Sequence, residues 1–257
     1  MTNENYLKVA VAAAKTSGPL FVKYFGDARD IQMKNGDPAN LVTEIDKAIE
    51  NKIRKLISVN FPKHKIIGEE YTRDVVGPKD LVWIIDPIDG TTNYIHGLPL
   101  CCISIALWDA RGPVAAVVYN PILKQLFSAA RGRGAKLNSK PITVSKIKKL
   151  NHALGGIGWL KVEKGLGIFS IMAKACRKLR VFASGAMQIC FVASGKYDFY
   201  ATGHINICDF AAGVLIASEA GATVTDVRGK KITLETKTII TSNGNIHDEL
   251  VNKLKKL

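Results

Sequence analysis

Leu81-Val82-Trp83-Ile84-Ile85-Asp86-Pro87-Ile88-Asp89-Gly90-Thr91-Thr92-Asn93 is the stretch from which the fold can be read. Five apolar residues run straight into two aspartates three apart, with a proline, a glycine and two threonines around them. An apolar run bounded by such breakers reads as a buried strand entering a loop. Pro87 lacks an N–H and biases Asp86 towards an extended backbone, so the Asp86 carboxylate projects from the strand end. Asp89 follows after a tight turn and can aim at the same point. Gly90 permits close approach of a ligand. The N–H groups of Gly90, Thr91 and Thr92 would open a short helix, a natural anion site. Two carboxylates beside backbone donors suit a hard divalent cation such as Mg²⁺ next to a phosphate. Asp, Pro and Gly also cluster in turns that carry no chemistry, and the short motif leaves both readings open.

The longer string decides between them. Asp86–Asn93, preceded by Trp83-Ile84-Ile85 and followed by Tyr94-Ile95-His96-Gly97-Leu98-Pro99, resembles the signature of the inositol monophosphatase family, a branch of the Mg²⁺-dependent, lithium-sensitive sugar phosphatases. Gly68-Glu69-Glu70 lies upstream, in the family's order. Cys208-Asp209-Phe210-Ala211-Ala212-Gly213, with Glu219-Ala220-Gly221-Ala222 behind it, resembles the second signature downstream. The likeness extends from Leu41-Val42-Thr43 to Ser242-Asn243-Gly244.

The resemblance implies a set of roles. Glu69, Asp86 and the backbone carbonyl of Ile88 would hold a metal that activates water. Asp86, Asp89 and Asp209 would hold a second metal near the leaving oxygen, with two or three Mg²⁺ ions in all. The Thr91 hydroxyl would bind the nucleophilic water, oriented by Asp46, and Glu69 would take part in the same catalytic set. Asp89, Gly90, Thr91, Ser184, Gly185, Ala186 and Thr202 fall at phosphate- or substrate-binding positions, and Lys34 at a mobile loop near the site. Taken singly, Asp46 reads as half of a capping box with Thr43, Glu69 as a surface residue after a strand, and Asp209 as a helix N-cap. Two metals about 3.5–4 Å apart can serve both ends of an in-line phosphoryl displacement, which requires acidic groups from distant segments.

The pattern departs from the family where substrates are selected. The usual Gly-Ser/Thr-Ala-Ala turn reads Ala183-Ser184-Gly185-Ala186. Thr202 stands where inositol-preferring members often carry a Glu, and Cys208 where Trp is common. Losing an acceptor for substrate hydroxyls weakens polyol discrimination. Three functions stay open at this point. The first is hydrolysis of inositol monophosphate or a related polyol phosphate. The second is hydrolysis of fructose 1,6-bisphosphate, a 3′,5′-bisphosphate nucleotide or NADP. The third is a basic RNA- or ribosome-associated protein on the same scaffold.

Composition narrows the field. The 257 residues fit one large domain over 1–257, or two intimate halves meeting near 140–150. No apolar run approaches the ~20 residues of a membrane span, and the Val9–Ala14 run is flanked by Glu4, Lys8 and Lys15. Five cysteines without zinc spacing point to reduced thiols in the cytoplasm. The net charge of +14 comes from 36 basic residues, 27 of them Lys and 9 Arg. Scattered lysines give a general attraction for anionic ligands rather than Arg-type phosphate forks, which makes nucleic acid the lesser partner. The expected partners are a small phosphate monoester and, from the resemblance alone, a second copy of the chain.

Apolar spacing predicts a helix over 4–25, broken or bent near Gly18-Pro19, and a strand at Ile31–Met33. A second amphipathic helix, with Leu41 counted on its apolar face, reaches about Asn60. Strands are expected at 65–67 and 81–86, then a meander of three or four strands over 100–137. Helices near 163–176, 185–194, 209–220 and 246–256 and strands near 178–182, 197–201, 222–225 and 237–241 complete the reading. Mixed order with a meander gives an α/β layered sandwich rather than a doubly wound sheet. The resemblance implies five layers, α-β-α-β-α, of the sugar phosphatase type.

Overall fold

The structure, a computed structural model, describes residues 2–27, 32–33, 41–71, 74–158 and 163–257. Its first element, α1 (Asn3–Lys23), is not broken at Gly18-Pro19. Pro19 and Lys15 both face solvent, so water can satisfy the Lys15 carbonyl that proline leaves without a donor. Gly18 is buried instead, and a Cβ there would lie 3.0 Å from Tyr119 Cε1. Glycine thus lets the helix lie close on the sheet. A short ribbon follows, β1 (Gln32–Met33) paired antiparallel with β2 (Leu41–Val42). Leu41 therefore belongs to a strand, and α2 (Glu44–Asn60) starts only after its N-cap Thr43.

The first sheet has seven strands in the order β3-β4-β5-β6-β7-β8-β9. These are β3 (Lys65–Gly68), β4 (Val82–Asp89), β5 (Cys102–Asp109), β6 (Gly112–Asn120), β7 (Gln125–Ala130), β8 (Ala135–Leu137) and β9 (Lys140–Pro141). The meander from β5 to β9 is one or two strands longer than the turn signals suggest, because β8 and β9 are too short to carry an alternation. β4 also outruns its expected end at Asp86. Pairing with β5 shifts register between Asp86 and Asp89 and resumes at Asp89↔Cys102, so Pro87 sits at an irregularity where no ladder donor is required. All eight residues of β4 are buried. The helix α3 (Thr91–Ile95) that follows has only five residues.

The second sheet has the order β11-β10-β12-β14-β13, built from β10 (Leu154–Ile157), β11 (Lys178–Val181), β12 (Phe199–Thr202), β13 (Thr223–Thr225) and β14 (Ile239–Ser242). The helices are α4 (Glu163–Ala175), α5 (Gly185–Ala193), α6 (Ile207–Glu219) and α7 (His247–Leu254). β10, like β2, has no counterpart among the strands expected from the sequence. Its Gly155-Gly156 pair looks like a turn, yet a Cβ on Gly155 would meet the Phe199 ring at 2.1 Å and one on Gly156 would meet Gln188 at 2.5 Å. Its glycines serve close packing, which no local pattern reveals.

The layers follow from the apolar faces. α1 and α2 cover one face of the first sheet, α5 and α6 lie between the two sheets, and α4 and α7 cover the outer face of the second. Three buried clusters fill the interfaces: Ile49, Trp83 and Ile105 in the first, Ile84, Ile189 and Phe210 in the middle, Ile168, Phe199 and Leu250 in the last. This is the α-β-α-β-α sandwich. Among the described residues, no helix is long and apolar enough to cross a membrane.

Candidate active site

β4 delivers its aspartates to the seam between the first sheet and the central helices. Asp86 is buried, and its Oδ1 accepts from the Ile88 N–H at 3.0 Å. Gly90 then turns the chain with φ +91°. A Cβ there would lie 2.7 Å from the Ala183 carbonyl and 3.0 Å from that of Leu100, so both conformation and space demand glycine. The Thr91 hydroxyl donates to the Ile88 carbonyl at 3.1 Å and lies 3.5 Å from Asp46 Oδ1. The other oxygen of Asp46, Oδ2, accepts from the Thr43 N–H at 2.8 Å and from the Thr43 hydroxyl. The cap of α2 and the contact with Thr91 thus fall on different oxygens of one carboxylate.

Two further segments bring acids to Asp86. β3 runs parallel to β4 with Gly68 opposite Ile85, which puts Glu69 beside Asp86. α6 packs across β4, β5 and β6 and points its first turn at the same place. Asp209 is the third residue of that helix rather than its N-cap; Asn206 takes the cap position and donates its N–H to Asp209 Oδ2 at 3.2 Å. One carboxylate oxygen from each of Glu69, Asp86 and Asp209 lies within 4.8 Å of the others.

Asp89 faces elsewhere. Its Oδ2 accepts from the Ser184 hydroxyl at 2.6 Å and the Ala186 N–H at 2.8 Å, and its Oδ1 from the Gly185 N–H at 3.2 Å. The Cys102 thiol adds a weak contact at 3.7 Å. Asp89 is therefore seated on the N-terminus of α5 and does not share the three-carboxylate cluster. The donors of Ser184, Gly185 and Ala186, expected at a substrate, are given to Asp89. Thr202 is fully buried, and its hydroxyl donates to the His204 carbonyl at 2.7 Å. Lys34 lies outside the described residues.

Burial and like charge both act on these acids. Asp86 is pushed well above the ordinary carboxylate range, first by burial and then by Glu69, Asp89 and Asp209. Asp209 is raised for the same reasons, burial first and then the charges of Asp89 and Glu69. Burial lifts Asp89 to about 6, against the Ser184, Ala186 and Gly185 hydrogen bonds that hold it down. Buried oxygen donors that repel one another are what a hard divalent cation relieves. The nearby Cys102 thiol is raised by burial and by Asp89, so it stays protonated and makes a poor ligand. The residues fit a divalent metal.

Glu50 matches no motif in the sequence. It is fully buried, pairs with Arg54 Nε at 2.7 Å and accepts the Glu70 N–H at 2.8 Å. The available signal was a carboxylate on the apolar face of α2, between Ile49 and Ile53.

A profile of the inositol monophosphatase family matches residues 2–257. An inositol monophosphatase of Dictyostelium discoideum is 36% identical over 100% of this chain and 96% of its own length. A fructose-1,6-bisphosphatase/inositol-1-monophosphatase of Thermotoga maritima is 36% identical over 98% of this chain and 96% of its own. The solved structure of a Thermotoga maritima IMPase superposes with a TM-score of 0.91 at 34% identity, covering 98% of this chain and 97% of that one.

Proposed function

The chain belongs to the inositol monophosphatase family and is a phosphoric monoester hydrolase, and we propose that it is Mg²⁺-dependent and acts on inositol monophosphate or a related polyol phosphate. The observation that carries this reading is the convergence of Glu69, Asp86 and Asp209 from three separate segments. These carboxylates and the Ile88 carbonyl would hold two or three divalent ions, with Asp89 adding charge from its seat on α5. When bound, such ions neutralise phosphate charge, lower the pKa of a water and stabilise the leaving oxygen.

The chain supplies the alignment. Because the Thr91 hydroxyl gives its proton to the Ile88 carbonyl or to Asp46, its lone pairs remain to accept a hydrogen bond from the attacking water. Asp46 is fixed by its cap on α2, so this acceptor is pre-oriented rather than recruited during the reaction. Asp86 is buried at the base of the cluster, while Glu69 and Asp209 are half-buried and leave the site open to a substrate phosphate. The protein would work in the cytoplasm as a homodimer.

Phosphate release from inositol 1-phosphate, fructose 1,6-bisphosphate and 3′-phosphoadenosine 5′-phosphate, each with and without Mg²⁺, tests the proposal. Mg²⁺-dependent turnover of inositol 1-phosphate above the other two is the expected result. Faster turnover of fructose 1,6-bisphosphate would favour a second reading, supported by the Thermotoga relative and by Thr202 standing where inositol-preferring members often carry a Glu. Turnover unaffected by chelation would overturn the metal assignment.

A further inference from the structure

α2 carries a polar stripe at i, i+4 and i+8: Asp46, Glu50 and Arg54. Residues at this spacing stack on one face of a helix. Asp46 meets Thr91 at one end of the stripe. One turn on, the fully buried Glu50 lies directly under Gly68. A Cβ on Gly68 would fall 1.8 Å from Glu50 Oε1 and 2.8 Å from Arg54 Nη2. Glu50 Oε2 accepts the Glu70 N–H at 2.8 Å, so the carboxylate is hydrogen-bonded to the main chain just after Glu69 and packs against Gly68 just before it. The segment is fastened at two more points: the Tyr71 hydroxyl donates to the Lys47 carbonyl at 3.3 Å, and the Arg54 guanidinium lies 5.7 Å from the Tyr71 ring centre.

We propose that Glu50, held by Arg54, is a positioning residue that fixes the Gly68-Glu69-Glu70 turn and so sets where Glu69 presents its carboxylate to the metal site. The inference rests on the metal reading above. α2 then acts as a ruler: the same helix places the partner of Thr91 and the backbone that carries Glu69, so the water-orienting and metal-holding groups keep a fixed separation. A buried ion pair by itself adds little net stability over an apolar pair of similar shape. Its placement under a glycine that admits no side chain points to positioning. Outer-shell partners that orient metal ligands typically contribute about 10–100-fold to affinity.

The test uses the whole protein with Mg²⁺ alone as titrant, followed by calorimetry, together with hydrogen–deuterium exchange of residues 68–71 in the metal-free state. Glu50→Ala removes the acceptor for the Glu70 N–H; Glu50→Gln keeps an acceptor but releases Arg54. Expected are faster exchange over 68–71 and Mg²⁺ affinity about tenfold weaker in Glu50→Ala, with a smaller loss in Glu50→Gln. Gly155→Ala, in the second sheet, serves as a destabilised control and should keep wild-type Mg²⁺ affinity. Should Glu50→Ala not fold, Glu50→Gln decides alone. Unchanged exchange or unchanged Mg²⁺ affinity in a folded Glu50 variant would overturn the proposal. Failure of the wild-type protein to bind Mg²⁺ would instead remove the metal reading, and this inference with it.

Discussion

At the scale of the residue, Thr91 and Ser184 carry different kinds of hydroxyl. Thr91 stands between the Ile88 carbonyl and Asp46 and has capacity left for a water. Thr91→Ala should lower kcat on the order of 100-fold while KM moves little, since an interaction made with the nucleophile is realised in the transition state. Thr91→Ser should restore most of kcat; equal losses in both variants would mean that the methyl, not the hydroxyl, matters. Ser184 spends its proton on Asp89 and holds that carboxyl down against burial. Removing it in Ser184→Ala should raise the Asp89 pKa from about 6. Mg²⁺ affinity should therefore weaken most below neutrality, where the proton competes with the cation, and recover towards pH 8. A uniform loss at all pH values would argue that Ser184 acts through shape alone.

At the scale of the element, what was legible depended on whether an element is built from its own neighbours in sequence. The apolar run of β4, the capping box and Ile periodicity of α2, and the Gly221 stop after α6 are local signals, and each lies where the spacing puts it. β10 was not legible because its glycines answer to Phe199 and Gln188, more than thirty residues away in sequence. The same holds at the site. Glu69, Asp86 and Asp209 came from ordered motifs, whereas the seating of Asp89 on Ser184, Gly185 and Ala186 is a contact between segments 95 to 97 residues apart. A packing argument tests the point. Gly155→Ala inserts a methyl where the Phe199 ring lies 2.1 Å away, and should destabilise the protein by about 1–3 kcal/mol in urea unfolding. Combining it with Phe199→Leu should recover part of that loss, because the two side chains compete for one volume. No recovery in the double variant would place the strain in the β10 backbone instead.

At the scale of the molecule, the sandwich concentrates an electrostatic cost where its layers meet. β4, the segment after β3, and α6 bring carboxyls together in a buried seam, and α5 holds a fourth beside them. Asp86, Asp89 and Asp209 all bind protons more tightly in the folded chain than a free carboxyl does. The metal-free folded state therefore holds more protons than the unfolded state between about pH 4, the ordinary carboxylate range, and the raised folded values. Under that condition stability falls as pH rises. The contribution is fully present below the unfolded pKa and is lost as pH rises through the raised folded values, about 6 for Asp89. A cation that binds only the folded, ionised site restores what is lost, in proportion to its occupancy. Thermal melts with and without Mg²⁺ should thus nearly coincide at pH 5 and separate progressively towards pH 8, by roughly 5 °C or more given the few degrees per kcal/mol expected at this size. Asp86→Asn, which cannot ionise, should flatten the metal-free pH dependence and shrink the Mg²⁺ shift together. If Mg²⁺ stabilised the protein equally at pH 5 and pH 8, the carboxyls would not be competing with protons for it, and the seam would not be where the cation binds.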